Sequence, residues 1–160
     1  MTEDQALKNL LRSTSIIYFS LVIGLLFFFV MAIMFIQGKE AQVQAETNNV
    51  LTVVVPVFGF MMMILSKVFY NKMITKKEFE TDLQKKIIHY RSMKIISWAM
   101  IESACIFAFT AVMITSNNFY LVVFIFLFGY FILLKPSRES LIRDLQLNSD
   151  EINILQRTSS

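Results

Sequence analysis

The sequence predicts an all-α polytopic membrane protein: four transmembrane helices in an antiparallel bundle with both termini on the cytoplasmic side. Three observations predict it. The chain has 160 residues and is 56% apolar. The apolar residues gather in four segments, about 15–36, 50–66, 93–115 and 119–134. Of the 15 Lys and Arg residues, all but Lys39 lie before the first segment, between the second and third, or after the fourth. Cations flanking a span are retained on the cytoplasmic side during insertion. Their sorting therefore sets the orientation as well as the number of crossings. Four spans of about 20 residues use roughly half of such a chain. Residues 1–136 then form one transmembrane domain, and 137–160 a cytoplasmic amphipathic tail.

Residues 1–12 mix Leu7, Leu10 and Leu11 with Lys8 and Arg12 and read as an interfacial turn leading into the first span. That span contains Leu25-Leu26-Phe27-Phe28-Phe29-Val30, apolar on every side, which suits lipid contact. The uncharged run from Ser13 to Gly38 exceeds the ~7–15 residues of a signal-peptide core, so it reads as a retained span. The connection from Gln37 to Asn49 is polar and belongs outside. In the second span, Pro56 cannot donate to the carbonyl near Thr52, and a helix kink is expected there. Thr75 and Glu78 then have capping-box spacing. Phe79, Leu83, Ile87 and Tyr90 follow every three or four residues among charged neighbours. Residues 71–92 thus read as an amphipathic segment on the cytoplasmic surface that runs on into the third span. Asn117-Asn118 leaves only a tight turn before the fourth span, so spans three and four must be antiparallel neighbours. Lys135-Pro136 ends the fourth span, and Ser137 can cap a last helix with Leu141, Ile142 and Leu145 on one face.

The net charge of +3 is explained by cations placed beside anionic headgroups. The expected partner is therefore a lipid bilayer with anionic headgroups on its cytoplasmic side, and not nucleic acid. One cysteine, Cys105, lies inside a span, which excludes an internal disulfide and a Cys-rich metal site. Met31, Met34 and Met61-Met62-Met63 read as flexible gap-fillers rather than a copper path, and His89 as an interfacial histidine. No metal and no cofactor is expected. There is no serine elbow, zinc-protease helix or Gly-rich phosphate loop, so the chain is not expected to be an enzyme. The expected location is a membrane crossed several times, the plasma (inner) membrane if the source is prokaryotic.

Glu102 is the residue that points to chemistry. It is the one acidic or basic side chain between Lys94 and Lys135, about 12 Å into the third span at 1.5 Å per residue. A charge at that depth costs about 2.5–3.5 kcal/mol on insertion scales. A buried partner, a water-filled cavity or protonation must compensate. By helical period, Ile95, Ala99, Ile106 and Phe109 share its face. Ser97, Ala104, Ala108, Ala111 and Thr115 form an opposite, close-packing face of small residues. Both faces are expected to be buried, with this helix at the bundle's centre or Glu102 facing a second protomer. By depth, Tyr18, Ser20, Ser66 and Tyr130 could form a pocket around the carboxyl.

The overall layout resembles that of small four-span integral membrane proteins of uncharacterised role, and implies a fold without a function. The run Trp98-Ala99-Met100-Ile101-Glu102-Ser103-Ala104-Cys105-Ile106-Phe107 resembles the carboxylate helix of rotary-ATPase proteolipids. That resemblance implies a proton or cation site at Glu102. The family's Gly-rich partner helix and Arg-Gln-Pro loop have no counterpart here. The expected function is a non-enzymatic accessory or structural membrane subunit; the alternative is a small proton-linked transporter or channel protomer using Glu102. A homo-oligomer or a larger membrane complex remains open.

Overall fold

The computed structural model describes residues 3–38, 45–74, 83–149, 151–152 and 154. Among the described residues there are five helices and no strand: α1 (Glu3–Gly38), α2 (Ala45–Ile74), α3 (Leu83–Thr115), α4 (Asn118–Leu133) and α5 (Arg138–Leu145). The expected capping box at Thr75 and Glu78, and Phe79 after it, lie outside the described residues.

The helices outrun the apolar segments that nucleate them. Residues 3–12 contain no Gly or Pro, and their Leu, Lys and Arg are good helix formers. They therefore continue into α1 as one helix of 36 residues rather than a separate turn. Likewise α3 joins the amphipathic stretch to the apolar one in 33 residues, and α2 stays helical through Pro56. Among the described residues three helices are long and apolar enough to cross a membrane, over Lys8–Gln37, Asn49–Ile74 and Leu83–Thr115. The chain is in this respect a multi-pass membrane protein. α4 has 16 residues, or about 24 Å, short of the ~30 Å hydrocarbon core.

α3 packs against all four other helices. The main core joins Tyr18, Leu25 and Ala32 of α1 and Val55 of α2 to one side of α3 and to Tyr120, Phe124, Leu127 and Phe131 of α4. Tyr18 meets Trp98 with ring centroids 5.2 Å apart, and Phe28 meets Phe109 at 5.0 Å, so α1 and α3 rise side by side in one direction. α4 turns back after residues 116–117. Ser116 is left-handed there (φ 50°). Thr115 Oγ1 accepts from the Asn117 N–H at 3.2 Å, and Asn117 caps α4 by accepting from the Phe119 N–H at 2.9 Å. A second, smaller core forms at the basic end, where Ile87 and Tyr90 of α3 meet Leu141, Leu145 and Leu147. Ser137 and Ser140 form the capping box of α5, and its apolar face lies against α3.

Candidate functional site

The buried residues of α3 include Ser97, Trp98, Ile101, Ala104, Cys105, Ala108, Ala111, Val112 and Thr115. At 100° per residue these fall within an arc of roughly 140°. The small residues Ser97, Ala104, Ala108 and Ala111 all lie in it. Glu102 sits at its edge. Its carboxylate-bearing face is not buried within one chain: Glu102, Ile95 and Phe109 are half-buried, while Ala99 and Ile106 are exposed. The reason is geometric. α1, α2 and α4 all approach α3 from one side, and an arc centred on Ala108 leaves Glu102 at the rim.

The residues expected around Glu102 are occupied elsewhere. Tyr18 is buried and donates to the Ile132 carbonyl at 3.0 Å and the Phe131 carbonyl at 3.4 Å. Ser66 pairs with Ser97 across α2 and α3, with hydroxyl oxygens 2.6 Å apart and a 3.1 Å bond to the Ser97 carbonyl. Ser20 is exposed and donates to the Ile16 carbonyl of its own helix at 2.9 Å. Tyr130 is half-buried against the main core. Among the described residues no hydrogen bond or ion pair reaches the Glu102 carboxylate. Neighbouring hydroxyls on α3 are satisfied locally, Ser103 on the Met100 carbonyl at 2.8 Å and Thr110 on the Ile106 carbonyl at 2.9 Å.

A different constellation holds the basic end together. Lys94 is buried on α3, with its Nζ 4.3 Å from the Tyr70 ring centroid and 5.5 Å from that of Tyr90. Asp144 of α5 lies 4.0 Å from that nitrogen and accepts from the Tyr70 hydroxyl at 2.5 Å. Tyr90 and Ser140 share a bond of 2.9 Å. Further on, Lys86 donates to Glu151 at 2.6 Å. The Glu151 carboxylate also accepts from the Asn148 N–H at 2.9 Å. Burial alone would raise the Glu151 carboxyl; the Lys86 bond, the Asn148 N–H and the Lys86 charge outweigh it and hold the carboxyl below its usual range. The polar contacts that Ser140, Asp144 and Glu151 make outside the tail thus close on α2 or α3. Sequence reasoning treated Lys94 only as a cation flanking a span. Its spacing carried the signal: Lys94 lies four residues after Tyr90 and four before Trp98, on the buried face.

Trp98 and Tyr18 have a second role that spacing did not reveal. The Trp98 indole N–H donates to the Leu134 carbonyl at 3.1 Å. It thereby serves the carbonyl of the residue that follows α4, whereas the Phe131 and Ile132 carbonyls that Tyr18 meets also accept from the Leu134 and Lys135 N–H groups. At the opposite end of α2 and α4, Thr52 Oγ1 and Tyr120 Oη are 3.2 Å apart. An apolar groove of about 240 Å³ separates these helices, lined by Pro56, Gly59 and Phe60 with Val122, Phe126 and Leu127. It has no polar lining and fits acyl chains better than a polar ligand. Among the described residues no group of three His, Cys, Asp or Glu could hold a metal ion. Compared with protein-family models, curated proteins and solved structures, the chain matches none.

Proposed function

We propose that this chain is a four-span integral membrane protein, N-in and C-in, acting as a non-enzymatic accessory or structural subunit of a membrane assembly. The observation that carries this reading is the position of Glu102. Its carboxyl stands at the edge of the outward face of α3, on the side away from the α1–α2–α4 core, and not among the interior hydroxyls. An acid there serves contact with another membrane component better than it serves a path through this bundle. The cation sorting supports the orientation, since all Lys and Arg but Lys39 would face anionic headgroups.

One observation favours a second reading, a proton-linked transporter or channel protomer. An ionisable residue in a span with no partner among the described residues is by default a functional group. Proton flux into liposomes carrying the full-length protein, under an imposed pH gradient, separates the two. The accessory reading expects wild type and Glu102→Gln to match empty liposomes. Flux in wild type that Glu102→Gln abolishes, with insertion unchanged, would select the transporter.

A further inference from the structure

We propose that a second copy of this chain covers the outward face of α3, and that the protonated carboxyl of Glu102 in each copy donates a hydrogen bond to Ser103 Oγ of the other. The inference rests on the membrane reading above. Ile96, Ala99, Ser103, Ile106, Thr110 and Ile114 run down the side of α3 away from its neighbours, and all are exposed. Isoleucine suits lipid. Ala99, Ser103 and Thr110 offer lipid little, but let a second backbone approach closely.

Three features make a copy of this chain the occupant. Copies inserted by the same route cross the membrane in the same direction, so two α3 helices meet in parallel about a two-fold axis. In a parallel two-fold pair, one flank of each helix meets the opposite flank of its partner, as at the e and g positions of coiled coils. The contact line runs along Ala99 and Ile106: at 100° per residue Glu102 lies about 50° to one side of it and Ser103 about 50° to the other, at nearly one level. The contact therefore sets a carboxyl against a hydroxyl, and symmetry makes it twice. The hydrogen-bonding capacities also match. Ser103 donates its one hydroxyl proton to the Met100 carbonyl, and its oxygen keeps acceptor capacity. A protonated Glu102 has a donor, and no acceptor among the described residues bonds to it. The pairing leaves no charge in the hydrocarbon.

The test uses the full-length chain in bilayers, first checked for resistance to carbonate extraction. Ala99→Cys and Ile106→Cys are compared under mild oxidation with Val122→Cys, on an exposed face of α4. Native Cys105 is fully buried and supplies the background. The expected result is disulfide-linked dimer at residues 99 and 106, at about ten times the yield at 122. Glu102→Leu should weaken association, followed by dilution in lipid, about tenfold through loss of two interhelical bonds. Glu102→Gln, whose amide can still donate, should stay within about twofold. Equal yields at residues 99 and 122 in a carbonate-resistant protein would overturn the interface and leave the membrane reading standing. Dimer that Glu102→Leu does not weaken would overturn the carboxyl–hydroxyl pairing. Extraction by carbonate would overturn the membrane reading and the interface with it.

Discussion

Trp98 and Tyr18 place polar tips on the last carbonyls of α4 while their rings fill the core, a combination open to Trp and Tyr but not to Phe. Trp98→Phe removes the donor to the Leu134 carbonyl, whereas after Tyr18→Phe the Phe131 and Ile132 carbonyls keep the Leu134 and Lys135 N–H groups. Trp98→Phe should cost about 1–3 kcal/mol and Tyr18→Phe about 0.5–1.5 kcal/mol, read as a loss of thermal stability in detergent, with the doubly substituted chain worse than either. Glu151 behaves differently because it titrates. Its carboxyl lies below the usual range when the tail is docked, so the docked state is favoured above the undocked pKa. That advantage is lost as pH falls through the docked one. Protease access to the tail should therefore rise on acidification in wild type. In Lys86→Met, which removes the ion pair, access should already be raised at neutral pH and should respond less to acid.

Helices show which information is local and which is not. The Ser137 cap of α5 and the continuity of α3 follow from residues a few positions apart, and both were legible in the sequence. The placement of Ala104, Ala108 and Ala111 toward other helices was legible too, because a helical period needs no knowledge of the partner. How much of α3 those partners cover was not, and so the face bearing Glu102 came out half-buried instead of enclosed. The Tyr70–Lys94–Asp144 contact was equally hidden, since its members come from three helices and a lysine beside a span has a sufficient explanation without them. The tight side of α3 yields an expectation at this scale. Ala108 is fully buried, so Ala108→Leu should overpack the core and cost about 1–3 kcal/mol, measured by denaturation in mixed micelles. Ile125→Leu, on an exposed face of α4, should leave that midpoint nearly unchanged.

At the scale of the whole molecule, the proposed four-crossing arrangement predicts opposite accessibility at the two ends of the bundle. In sealed, oriented vesicles, Asn117→Cys should react with a membrane-impermeant reagent from the external side, and Lys72→Cys only from the cytoplasmic side. Labelling of residue 117 from the cytoplasmic side would remove the orientation and the depth assigned to Glu102. α4, short for a full crossing, should be matched by a thin bilayer, so stability should be higher in shorter-chain lipids. α3 has the opposite excess: its 33 residues span about 50 Å, some 20 Å more than the hydrocarbon core. The surplus carries Lys86 and Tyr90, with Lys94 at its base, the residues on which the tail docks. One unbroken helix therefore carries both the seat of the tail and Glu102, so the two keep a fixed angle and spacing along a single rod.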